Sequence, residues 1–203
     1  MTTPIGIVTC LPAVDVDELV ACVEVLVQEH LTTFACDTTN LTELRRVFGA
    51  RATFGAMGVA DVDQLGDAVQ AGADFVLADA ADEQMATYAA GAGATWFAPA
   101  LTPLEVRAVL DLGATGALLW PAEVVGHAMA GHLARIGLMD RVVPMGGVGA
   151  FAAGEWMKHG APAACVDQML LGDAPTGGDL GQLRDRCTSF RKAATQARAT
   201  SED

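Results

Sequence analysis

Residues 71–79 read AGADFVLAD, residues 92–100 AGATWFAPA, residues 112–120 LGATGALLW and residues 159–167 HGAPAACVD. Each stretch is a Gly-Ala pair followed by a short apolar run. The first three begin about 20 residues apart, and the gap to the fourth is about twice that, with room for one further unit. A fixed period of this size marks a repeated supersecondary unit. Its chemistry follows from its residues. Glycine accepts the left-handed conformation in which helices commonly end. The apolar run then makes a strand buried on both faces, as parallel strands are. A polar residue such as Asp61, Asp82 or Thr102 follows, suited to cap the next helix, which returns over the sheet.

Extended along the chain, the unit occurs eight times. Strands are expected near 4–10, 32–37, 52–57, 74–78, 95–98, 115–120, 141–145 and 163–167. Helices are expected near 14–29, 40–48, 61–71, 82–91, 103–112, 122–137, 150–159 and 179–198. Eight βα units in about 200 residues is the lower limit for a (β/α)8 barrel. A doubly wound sheet would have five or six strands and a Gly-rich turn after the first; here Thr9-Cys10-Leu11-Pro12 stands there. The expected fold is therefore α/β, a compact (β/α)8 TIM barrel. It forms a single domain over residues 1–203, with a C-terminal helix and polar tail from about residue 179. Gly72, Gly93, Gly113 and Gly160 are expected at helix C-termini.

Composition narrows the function. Hydrophobic residues make up 52% of the 203 and charged ones 18%, so the chain can bury a core. A net charge of −13 repels phosphate backbones and anionic bilayers, which argues against nucleic acid and membrane partners. No apolar run approaches the roughly 18 residues of a membrane span. The start, MTTPIGIVTC, lacks the basic residues of a signal peptide. Five cysteines without a CxxC suit a reducing, cytoplasmic setting. There is no Walker loop, Ser-centred elbow or HExxH, and no cofactor or metal is expected.

In a barrel, chemistry sits at the C-terminal ends of the strands. The residues placed there include Cys10, Asp37, Met57, Asp79, Trp120, Met145, Gly146, Gly147 and Asp167. Cys10, Cys36 and Cys165 lie on neighbouring strands and could form a soft metal site or a thiol nucleophile; buried small strand residues are the alternative. Glu123 and His127 are spaced i,i+4 for an acid–base pair or an exposed helix pair. Trp120 and Met145 would make the mouth apolar, which suits a small hydrophobic or uncharged ligand or a plugged barrel.

FGAMGVADVDQLGDAVQAGADFVLAD (54–79), PALTPLEV (99–106), WPAE (120–123) and PMGGV (144–148) together resemble the 2-keto-3-deoxy-6-phosphogluconate (KDPG) / 4-hydroxy-2-oxoglutarate (KHG) aldolases. The resemblance runs from about residue 4 to 172. It implies a trimeric class I aldolase barrel acting on small 2-keto acids. In that family a lysine on strand six forms an imine with the keto acid, and the iminium serves as electron sink. The matching position here is Leu118. The family's strand-two glutamate falls at Ala35 and its arginine at Thr39. Asp37, two residues beyond Ala35, could approach the site or cap the loop or second helix. The family's phosphate cradle uses the strand-seven glycines, here Gly146 and Gly147, and a glycine-rich turn after strand eight, here Asp167-Gln168-Met169. The chain holds only two lysines, Lys158 and Lys192, both expected on the surface away from the site. The resemblance thus implies lyase ancestry without class I Schiff-base activity. An active lyase led by Asp37, Glu123 or a cysteine, and a non-catalytic ligand-binding or scaffold protein, stay open beside it. Candidate ligand contacts are Gly146, Gly147, Trp120 and Asp167.

Overall fold

The computed structural model describes residues 1–201; residues 202 and 203 of the expected polar tail lie outside the described residues. Eight strands, β1 Gly6–Cys10, β2 Thr33–Cys36, β3 Thr53–Val59, β4 Val76–Ala78, β5 Trp96–Ala100, β6 Gly116–Leu119, β7 Val142–Pro144 and β8 Ala163–Val166, form one sheet. Its order is β7-β6-β5-β4-β3-β2-β1-β8, with every ladder parallel. β7 and β8 pack against each other and nearly close the ring. β7 ends in Pro144, which has no amide to donate to a ladder. The eight-stranded barrel read from the repeats is the fold of the chain.

Strand side chains alternate between two compartments, as their two-residue period requires. Val8, Cys10, Ala35, Phe75, Leu77, Phe97, Leu118, Val143, Ala163 and Cys165 fill the barrel interior. Their neighbours Ile7, Phe34, Cys36, Val76, Ala117, Leu119 and Val166 join the larger core under the helices. Two glycines make room for the bulky interior rings. A Cβ on Gly55 would overlap the Phe75 ring, and one on Gly116 would lie 2.8 Å from Phe97. The interior is therefore packed with side chains and is not a pore.

The helix starts behave as their cap residues demand. Asp61 accepts from the Gln64 amide and Asp82 from the Met85 amide, both at 2.8 Å. Thr102 and Glu105 form a reciprocal capping box. Gly72, Gly93, Gly113 and Gly160 all take positive φ at helix ends. These fix α1 Val16–Gln28, α2 Thr38–Phe48, α3 Val62–Gln70, α4 Glu83–Ala92 and α5 Pro103–Asp111 close to the expected spans.

Three expectations need correction. The single helix over 122–137 is two, α6 Ala122–Val125 and α7 Ala128–Arg135, because Gly126 breaks it at φ 68°. After α8, Ala150–Lys158, and β8, the chain adds a one-turn helix, α9 Gln168–Leu171, and a 3-10 turn, Ala174–Thr176. The last helix, α10, runs Leu180–Ser201, so the tail is helical through the described residues. It is held in place by polar contacts as well as apolar ones. Arg186 donates to the Leu170 and Leu171 carbonyls at 2.6 and 2.7 Å, closing α9. Glu29 pairs with both Arg184 and Arg191.

Candidate active-site face

The carboxyl ends of β1, β3, β7 and β8 surround a cavity of about 530 Å³. Its wall is Leu11, Pro12, Met57, Met145, Leu171 and Pro175, with Cys10 on the interior side and Asp167, Gln168, Asp173 and Thr176 at the rim. Its volume falls in the range of small-molecule sites. The segment 171–176 was not singled out from the sequence. The stretch around it, LLGDAPTGG (170–178), reads as a loop full of breakers, and only the turn made by α9 folds it over the strand ends.

Leu118 is 2% exposed inside the barrel, packed with Phe97 and Val143. Ala35 lies in the same interior cluster. Lys158, at the C-terminal end of α8, lies near Glu155, and Lys192 is exposed on α10. Neither lysine lines the cavity.

Asp37 caps α2. Its carboxylate accepts from the Asn40 amide at 2.8 Å and from the Asn40 side chain at 3.3 Å. It does not line the cavity. The side chain of Asn40 also donates to the Val14 carbonyl, so this carboxylate is tied into the β1–α1 loop.

The three cysteines do not meet as one group. Cys10 and Cys165 share the interior, whereas Cys36 faces the helices. The alternation of strand side chains separates them. A hydrogen bond with Cys10, followed by burial, holds the Cys165 thiol well above its usual range. Burial, then the charge of Asp37, pushes the Cys36 thiol up to about 12. A thiol nucleophile needs the opposite shift. No group of three or more His, Cys, Asp or Glu is arranged to hold a metal ion among the described residues.

The Glu123–His127 pair is interrupted by the break at Gly126. His127 instead makes an edge-to-face contact with Phe151 at 5.3 Å. Glu123 has another neighbour. Gly146 and Gly147 turn with φ of 90° and 66°, and a Cβ on Gly147 would overlap the Glu123 carboxylate. Trp120, 54% exposed, lies over Gly146, where a Cβ would be 3.2 Å from its ring. At the end of the neighbouring β8, Asp167 caps α9 and accepts from the Met169 amide at 3.4 Å. Both turns that the resemblance assigned to a phosphate thus carry a carboxylate of the chain itself. Asp79, at the end of β4, is a further acid on this face, and burial raises its carboxyl above the usual range.

A parallel barrel with a cavity at the carboxyl ends of its strands has the architecture of the small-molecule barrel enzymes and their relatives. Within that class, the chain belongs to the KDPG and KHG aldolase family, whose model matches residues 5–180. A 2-dehydro-3-deoxy-phosphogluconate aldolase of Treponema pallidum (strain Nichols) is 29% identical over 136 residues, which is 66% of this chain and 65% of that relative. The match therefore spans slightly less than two thirds of the relative's length. In structure, the chain superposes on a native KDPGal structure with a TM-score of 0.83 at 19% identity, covering 98% of each chain. It superposes on a KDPG aldolase from Legionella pneumophila, with pyruvate captured as a covalent carbinolamine, with a TM-score of 0.76 at 13% identity, covering 92% and 94%. No helix among the described residues is long and apolar enough to cross a membrane.

Proposed function

We propose that this chain is a divergent member of the family that has lost class I imine chemistry and retains its barrel as a small-ligand-binding scaffold. One observation carries the reading. The position that the resemblance gives to the imine-forming lysine is Leu118, buried in the apolar interior with no lysine on the cavity wall. The other expected parts point the same way. Ala35 and Thr39 replace the proton-shuttling glutamate and the carboxylate-binding arginine. Glu123 and Asp167 stand on the two turns of the phosphate cradle, where they repel a dianion. Asp37 is engaged as a helix cap and Glu123 is exposed beside Gly147, which weighs against a lyase led by either.

The family resemblance implies a homotrimer. Exposed Leu104, Val124 and Phe151 leave apolar surface for contacts between copies. A cytoplasmic setting fits five free cysteines.

Aldol cleavage tests the proposal. Purified protein is mixed with 2-keto-3-deoxy-6-phosphogluconate or 4-hydroxy-2-oxoglutarate, and released pyruvate is read by a coupled dehydrogenase. No rate above buffer is expected with either substrate. Turnover that disappears in Asp37→Asn or Glu123→Gln would instead establish the lyase of different mechanism.

A further inference from the structure

We propose that the cavity at the ends of β1, β3, β7 and β8 binds a small amphiphilic amine. The assignment deepens the reading above, since it rests on this face no longer taking a phosphorylated keto acid.

Shape and lining select the apolar part of the ligand. The cavity measures about 530 Å³, and Met57, Met145, Leu11, Leu171 and Pro175 form its wall. Methionine side chains are unbranched and polarizable, so they adapt to a flexible aliphatic body. Charge selects the polar end. The ionisable rim groups are Asp167 and Asp173, and the lining contains no Lys, Arg or His. Asp167 is half-buried, and the hydrogen bond that its carboxylate accepts from the Met169 amide is long at 3.4 Å. No ion pair engages it among the described residues. The Arg186 guanidinium lies close to the cavity-lining Gly172, but its hydrogen bonds go to the Leu170 and Leu171 carbonyls and it makes no ion pair with Asp167 among the described residues. A carboxylate beside an apolar wall attracts a cation more strongly than one in open water and repels an anion equally. An alkyl chain on the methionines with an ammonium at Asp167 satisfies both features.

The test uses the full chain and three probes of equal length: n-hexylamine, n-hexanol and n-hexanoate. Binding is read by calorimetry at pH 7, and thermal unfolding checks that each variant is folded. Hexylamine is expected to bind about tenfold tighter than hexanol, as one charge-assisted contact implies, and hexanoate weaker than either. Asp167→Asn should bring amine and alcohol together, with the amine losing far more affinity than the alcohol. Leu171→Gln should weaken amine and alcohol alike. Equal or tighter binding of hexanoate, an amine preference that survives Asp167→Asn, or no saturable binding of any probe would overturn the proposal. None of these outcomes bears on imine chemistry, which the cleavage assay decides separately.

Discussion

Replacing Leu118 with lysine is expected to destabilise the barrel by about 3–5 kcal/mol at neutral pH. Leu118 is buried among Phe97, Val143 and other interior side chains, and no Asp or Glu is buried among the described residues. The new ammonium would lose its hydration without gaining a partner, so its folded pKa falls well below the unfolded value of about 10.4. The sign follows from proton binding. Between the two pKa values the unfolded chain holds a proton that the folded chain lacks, so raising the pH favours folding. The stability gap between Leu118→Lys and the parent should therefore narrow by about 1.4 kcal/mol per pH unit on approach to pH 10. Urea unfolding of both proteins at pH 7, 8.5 and 10 measures it. A gap that is absent at pH 7, or that widens as the pH rises, would mean that the side chain at 118 reaches water or an acid. Imine formation should be restored only weakly. Ala35 offers no carboxylate, and general acid–base assistance is typically worth about 10²–10⁴ in rate.

Removing the Asp167 carboxylate is expected to improve the affinity for inorganic phosphate by about 1–3 kcal/mol. In the parent, phosphate and phosphorylated sugar acids should bind no more tightly than millimolar. The Asp167 carboxylate already accepts from the Met169 amide, one of the donors an anion would need, and its charge opposes the anion directly. In Asp167→Gly that amide is freed and the repulsion removed. Adding Glu123→Gln should give a smaller further gain, because that carboxylate is exposed over Gly147. Calorimetric titration of phosphate into the parent, the single and the double variant checks this. Tight binding to the parent, or no gain in Asp167→Gly, would place the anion site elsewhere.

The barrel was legible because its signals are local and repeated. A glycine at each helix end, an apolar run and a polar cap recur often enough to number the strands. Each of Gly72, Gly93, Gly113 and Gly160 takes the backbone conformation that its position in the repeat requires. The break in the sixth helix was harder to read. Residues on both sides of Gly126 suit a helix, and a lone glycine inside a helical pattern is often tolerated. Only the observed φ of 68° separates the two pieces. Separation of Cys36 from Cys10 and Cys165 follows from strand alternation, which also places Leu118 and Ala35 inside. The cavity wall after β8 was not legible. It depends on how Arg186, some 15 residues further along, holds the α9 turn over the barrel mouth. The meeting of Glu123 with Gly147 was hidden for the same reason, since it joins the α6 turn to the loop after β7.

Borohydride trapping with pyruvate tests the central claim most directly. A class I aldolase incubated with pyruvate and borohydride gains the mass of a reduced imine on one lysine. Here intact-mass measurement should show no addition after incubation, because Leu118 cannot form an imine and Lys158 and Lys192 stand outside the cavity. A stable pyruvate adduct, mapped by peptide mass to Lys158 or Lys192, would contradict the account.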